Sequence, residues 1–280
     1  MSGRYNYRTG MPAPNSELTQ SVIIPVIVFT VLFVLDYLYT IASDRSLRFI
    51  TVLDYTARAS DGVVIIPQDP SNANAIQLGQ SVNERTGVEF AYSFFISVDQ
   101  STFSGEDVYK HVFHKGYSGS LWPLLGPGVF ISAKDNTMRV VMNTNTHVLK
   151  HADITNIPVN KFFHVVLNCH NSGLDVYING SLAHRLSFKG GVVYQNFQDL
   201  VLFSPNHLDL SPTVTPAVGD SPFRMNGAFS GSFSSLKYAR YALSLKEIQA
   251  LMAEGPSSNV KQMSVNNDVN YLSNTWWANQ

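Results

Sequence analysis

The chain has 280 residues, a formal net charge of −1 and one cysteine, Cys169. Hydrophobic residues make up 45% of it and charged residues only 14%, against about 25% charged in ordinary soluble domains. The charge balance excludes the basic footprint of a nucleic-acid binder. A lone cysteine excludes an intrachain disulfide and points to a reducing site of assembly, with Cys169 itself a small buried hydrophobe.

Residues 1–20 hold Gly3, Gly10, Pro12 and Pro14, which predict an irregular polar arm. Residues 21–42, SVIIPVIVFTVLFVLDYLYTIA, are almost wholly apolar. They match the ~20 residues with which a helix crosses a bilayer. Val22, Ile23, Ile24, Val26, Ile27, Val28, Phe29, Val31, Leu32, Phe33, Val34 and Leu35 form the expected membrane anchor. Tyr37 and Tyr39 suit an interfacial aromatic belt or a contact with a partner. Pro25 is expected in the first turns, where its missing N–H costs least. Asp36, near one end, can reach the interface or a neighbouring helix. The apolar core is too long for a signal peptide and no small-x-small site follows it; a buried core helix is the other alternative. Arginines flank the segment on both sides and leave its orientation open. The expected location is a membrane, crossed once.

Residues 43–61 read as a linker, in which RFITVLDY either continues the helix or starts a strand. A β domain is expected over 62–256. Val63–Ile66 is a short apolar strand. In Gly87–Val98, Phe90, Tyr92, Phe94 and Ile96 alternate with Glu89, Ala91, Ser93 and Phe95. Val112–Lys115, Val129–Ala133, Met138–Asn143 and Leu200–Phe203 read as further strands. Loops are expected at Gly116–Gly128, which carries Tyr117 and Trp122, at His147–Ile157, and at the proline-rich Asn206–Pro222.

The most informative stretch is Lys161–Phe188, KFFHVVLNCHNSGLDVYINGSLAHRLSF. Phe163, Val165, Leu167 and Cys169 share one face at period two, and Leu174, Val176 and Ile178 continue it. Asn179-Gly180 predicts a tight hairpin. A three-residue loop ending at Gly180 would return both Leu182 and Leu186 to the core face, and it is preferred here over a two-residue loop. Asn179-Gly180-Ser181 is also a glycosylation sequon, but turn geometry accounts for it. After the strands of Phe229–Leu243, Ser244 and Glu247 form a capping box. Ile248, Leu251 and Met252 then share a helix face that ends at Gly255-Pro256. The tail, 257–280, ends near Trp276 and Trp277, a pair suited to docking on a partner or a bilayer interface.

FFHVVLN…GLDVYINGSLAHRL resembles the central hairpin of laminin-G-like domains in the concanavalin A-like lectin/glucanase superfamily. FSGSFSSLKYARYALSLKEIQALMAEGP resembles that family's closing strand and short helix. The likeness runs over roughly Gly62–Gly255. It implies an all-β, two-sheet antiparallel jelly-roll sandwich, here following one transmembrane helix and ending in one short α-helix. Laminin-G-like chains with one membrane segment are also similar to membrane-anchored virion proteins of large DNA viruses.

Chemistry is sparse. Glucanases of the superfamily use Glu-x-Asp-x-x-Glu, which is absent here, and Glu106-Asp107 would point to opposite faces of a strand. His111 and His114 lack any accompanying zinc motif and read as surface histidines. Asp135, Asn136, Asp209 and Asp220 lie in expected loops and are weak Ca²⁺ candidates; no cofactor is called for. Tyr117 and Trp122 are candidates for stacking on a sugar ring. The reading is a non-enzymatic, membrane-anchored structural protein. Its partners would be lipid and neighbouring proteins such as those of a capsid, in a minor capsid or virion membrane role. A carbohydrate-binding, lectin-like module is the alternative, and a glycoside hydrolase follows at a distance.

Overall fold

The computed structural model describes residues 16–81, 88–210 and 222–259, with α1 side chains described from Ile23 to Tyr39. The chain divides into two units, Met1–Arg48 and Phe49–Gln280.

The first unit contains α1, Ser16–Arg48, a single helix of 33 residues. Helix extends through residues 16–20, which the sequence assigned to the arm. Pro25 therefore lies inside the helix and not in its opening turns, at a position where one backbone hydrogen bond is forfeited. Thr30 Oγ1 donates to the Val26 carbonyl at 2.8 Å, which satisfies the one hydroxyl of the apolar run within the helix.

Among the described residues the second unit is a sandwich of 14 strands. In chain order they are β1 (Phe49–Arg58), β2 (Val64–Ile66), β3 (Phe90–Val98), β4 (Tyr109–Lys115), β5 (Gly128–Ser132), β6 (Thr137–Met142) and β7 (Lys150–Thr155). There follow β8 (Phe163–His170), β9 (Gly173–Ile178), β10 (Ser181–Ser187), β11 (Leu200–Leu202), β12 (His207–Leu210), β13 (Phe223–Ala228) and β14 (Gly231–Ala239), then helix α2 (Leu245–Glu254). One sheet has six strands in the order β1-β14-β3-β8-β9-β10. The other has eight, with β12-β13-β4-β5-β6-β7 as its main path, β11 on β4 and β2 on β11. Every named pairing is antiparallel except β13 on β4.

Period-two patterning fills the space between the sheets. Phe90, Tyr92, Phe94 and Ile96 of β3 point inward, as do Phe163, Val165, Leu167 and Cys169 of β8. Phe94 meets Phe113 of the opposite sheet edge-on at 5.2 Å and stacks on Phe233 at 4.9 Å. Cys169 is fully buried and burial pushes its thiol pKa well up, so it behaves as a core hydrophobe.

Of the two readings left open for RFITVLDY, the strand holds from Phe49 on: β1 is an edge strand paired with β14. Three sequence expectations change. His147–Ile157 contains β7, whose inward residues are only Ala152 and Ile154, too few for a period-two signal. Asn206–Pro222 contains β12, so Asp209 is on a strand and not in a loop. The β9–β10 turn is a two-residue loop, with Ile178 opposite Ser181. Asn179 and Gly180 both have positive φ, 48° and 75°, the geometry whose twist matches the flanking strands. The residue that the preferred loop placed in the turn is instead inserted as a bulge between Leu182 and His184. Leu186 thereby returns to the core while Leu182 stays 49% exposed.

Candidate functional site

The anchor residues come first. From Ile23 to Tyr39 the described apolar side chains of α1 are between 48% (Val34) and 72% (Phe29, Tyr39) exposed, on every side of the helix. No polar stripe divides them, in contrast to an amphipathic surface helix. No described helix is long and apolar enough to cross a membrane. Val22 and both ends of the expected span lie outside the described side chains, as do Trp276, Trp277 and Asp220.

The calcium candidates are not brought together. Asp135 and Asn136 share the β5–β6 turn, where Asn136 Nδ2 donates to the Ile157 carbonyl at 2.7 Å and Asn136 Oδ1 is buried without a partner. Asp209, on β12, faces Arg224 at 3.9 Å. Among the described residues no group of three or more His, Cys, Asp or Glu could hold a metal ion.

The Tyr117–Trp122 loop does not form an open platform. It lies on the outer face of the eight-stranded sheet, where Leu121 and Leu125 are buried against Phe130, Val141, Phe223 and Met225. Trp122 packs half-buried on that cluster, and Tyr117 is 43% exposed.

Beneath this loop lies what sequence reasoning missed. His111 and His114 are wholly buried and touch each other. On a regular strand, residues three apart face opposite ways. Here β4 carries a bulge at Val112, since His111 pairs with Phe130 and Phe113 with Val129. The extra residue puts both Val112 and Phe113 in the core and both histidines on the outer face.

Their hydrogen bonds form one directed chain. The Ser204 N–H donates to His111 Nδ1 at 3.0 Å. His111 Nε2–H then donates to His114 Nδ1 at 2.8 Å, and His114 Nε2–H to the Tyr117 carbonyl at 3.0 Å. Each ring is neutral with its proton on Nε2, the only assignment that satisfies all four groups. Desolvation, and for His111 the neighbouring ring, lower both pKa values, His114 to about 4. His164, on the outer face of the other sheet, is lowered to about 4 by burial. Its Nε2 meets Ser93 Oγ at 2.8 Å, and its Nδ1 is buried without a partner.

An open polar cleft of about 640 Å³ lies at the end of β8–β10, lined by Glu89, His170, Asn171, Ser172, Asp175, Arg185 and Ser187. Asp175 is its buried member. Arg185, opposite it across the hairpin, grips both carboxylate oxygens at 2.6 and 2.7 Å. His170 Nε2 stands 3.5 Å away. The sequence signal for this pair existed only in the register, which depends on the bulge at Leu182–His184. Elsewhere, Lys115 points inward beside a cavity of about 10 Å³ and donates to the Gln198 carbonyl at 2.6 Å. Burial lowers its pKa to about 8, against the opposing pull of Asp199.

No family model matches the chain, and no curated protein matches it. Similar folds occur among solved structures. The receptor-binding domain of a botulinum neurotoxin C/D mosaic serotype is 11% identical over 60% of this chain and 36% of that one, with a TM-score of 0.40. The botulinum neurotoxin serotype D ligand-binding domain, solved with N-acetylneuraminic acid, is 11% identical over 74% and 51%, at 0.42. Trypanosoma rangeli sialidase is 12% identical over 59% and 22%, at 0.37. The chain thus spans about half or less of each of these structures.

Proposed function

We propose that this chain is a membrane-anchored, non-enzymatic β-sandwich that works by contact, with α1 seated in lipid. The observation that carries the reading is the helix whose apolar side chains are exposed all round. Leaving so much apolar surface in water is unfavourable by about 25 cal/mol per Å², and an amphipathic neighbour would cover only one side of it. A helix of 33 residues is ~50 Å long at 1.5 Å per residue, against ~30 Å of hydrocarbon. The sequence run Val22–Leu35 with 37–42 supplies a single-pass anchor. Thr30 bonds to its own backbone, as a hydroxyl in hydrocarbon must.

The setting we favour is an assembly in which a protein shell lies over lipid, a minor capsid or virion membrane role. The resemblance of the sequence supports it, as does the scarcity of charge. The test is co-flotation of the full chain with phosphatidylcholine vesicles, followed by alkaline carbonate washing. Retention in the washed vesicles, lost when residues 21–42 are deleted, is the expected result. Release by carbonate, or equal flotation of the deletion variant, would sink the anchor. Fractionation of the native protein into purified particles or into cell membranes then decides the setting.

The lectin-like reading keeps one observation in its favour, the open cleft beside the Asp175–Arg185 pair. Its polar groups suit hydroxyl-rich ligands. Glycan-array binding abolished by Arg185→Ala supports it, and an array without signal removes it.

A further inference from the structure

We propose that the His111–His114 chain is an acid-releasable clasp that holds the 117–122 half of the outer-face loop down, and that protonation frees Leu121 and Trp122. The argument is geometric. The loop is fastened at two points. At its far end Leu125 N–H donates to Asn143 Oδ1 and Gly126 N–H to the Lys115 carbonyl, while Asn143 Nδ2 donates to the carbonyls of Pro123 and Val148. None of those groups titrates near neutrality. At its near end Gly116 N–H donates to the Asp199 carbonyl at 2.9 Å. Beyond it, the polar attachment of 117–122 to the sheet is His114 Nε2–H to the Tyr117 carbonyl, with Gly119 only grazed by Asn206 Nδ2 at 3.5 Å.

Adding a proton turns an acceptor nitrogen into a donor. On His111 the new Nδ1–H faces the Ser204 N–H; on His114 it faces the Nε2–H of His111. Either way two donors oppose each other in a site with no exposed surface, where a buried unmatched polar group is costly. Among the described residues no carboxylate relieves the charge; Asp199, whose carbonyl holds Gly116, turns its carboxylate to the Gln68 N–H. β5 presents Phe130, and neither the loop nor residues 203–206 contain a charged residue. Lys115 projects to the opposite face, and Arg139 and Asp153 are bound to each other beside Tyr109. Arg224 and Asp209 face each other on β13 and β12. Burial holds both pKa values down although the bond to the Tyr117 carbonyl favours protonated His114. It is therefore hydration of the charged rings on opening, not a weaker bond to Tyr117, that releases the loop. The Asn143 end does not respond to acid, so opening is one-sided. The mechanism is independent of what α1 does.

The experiment is hydrogen–deuterium exchange of the full chain at about pH 7.5 and about pH 5, with times rescaled for intrinsic exchange. Peptides spanning 117–122 should lose protection in acid by about tenfold more than peptides spanning 123–127, β3 and β8 do. The variant His111→Gln/His114→Gln cannot take up the proton and should exchange equally at both pH values. If that variant does not fold, imidazole ¹⁵N shifts of the wild type provide the second readout. There the protonation midpoint of His111 and His114 should coincide with loop release. Unchanged protection of 117–122 in acid, loss spread evenly over both sheets, or opening while both rings stay neutral would each overturn the proposal.

Discussion

The outer faces of the two sheets need covering, and the chain covers them by different means. On the six-stranded sheet the cover is α2, which lays Ile248 and Leu251 on Ala91, Val166 and Ala239. Its start is fixed by a complete capping box, with the Ser244 side chain accepting from Glu247 N–H and the Glu247 carboxylate accepting from Ser244 N–H. Its end is fixed by Gly255 at φ 75°. On the eight-stranded sheet the cover is an irregular loop, which satisfies few of its own backbone groups and borrows partners from Asn143 and His114. A helix carries its hydrogen bonds with it; a loop must be supplied with them. The second cover is therefore the one that side-chain chemistry can loosen.

The largest break in this comparison comes from removing the apolar floor under the loop. Phe130 is fully buried and meets Phe223 at 5.0 Å and His111 at 5.7 Å. Phe130→Ala should cost ~3–5 kcal/mol in urea unfolding, as a large ring lost from a packed site does. Ile248→Ala under the helix should cost ~2–4 kcal/mol. If the loop collapses onto the smaller floor, the Phe130 variant will fall to the level of the helix variant, and the two covers are then equally adaptable.

Acid supplies the next effect, and its sign follows from three buried histidines. His111, His114 and His164 all have lowered pKa values, so the folded state binds fewer protons than the unfolded state. Stability is fully present above about pH 6.5 and falls as pH drops toward about 4. The slope is at most ~1.4 kcal/mol per pH unit for each group. His164→Gln should remove one share of the slope and leave the loop untouched, because that ring lies on the other sheet. A slope unchanged by His164→Gln would mean that this histidine already titrates normally.

A smaller effect tests the helical cover. Ser244→Ala deletes the side chain that caps α2 and should cost ~1 kcal/mol, read as a shift in urea midpoint at constant slope. Circular dichroism should show the helix retained, because Ile248 and Leu251 still anchor it.

The difference between the covers also explains what the sequence disclosed. α2 was legible to the residue, since Ser244, Glu247 and Gly255 each act locally. The inward faces of β3 and β8 were legible because period two survives along them. The loop cover was not legible, because it depends on Val112 being an extra residue in β4, and a bulge leaves no mark in composition. Without it His111 and His114 read as unrelated surface histidines. β7 was hidden for another reason: an edge strand needs fewer apolar residues, and its pairing is set by β6 rather than by its own pattern. The polar cleft was hidden by register, which decides whether Arg185 lies opposite Asp175.

The smallest predicted effect is the sharpest test of that register. Leu182 would be a core residue if the β9–β10 loop held three residues, and Leu182→Thr would then cost ~2 kcal/mol or more. With Asn179 and Gly180 as the whole turn and the bulge placed after Leu182, the side chain is 49% exposed. The same substitution should then stay within ±0.5 kcal/mol. Leu186→Thr is the internal control, since Leu186 is buried under either arrangement. It should lose several times more stability than Leu182→Thr. Equal losses at the two positions would move the extra residue from β10 into the turn, a change confined to the residues before His184 that leaves Arg185 opposite Asp175.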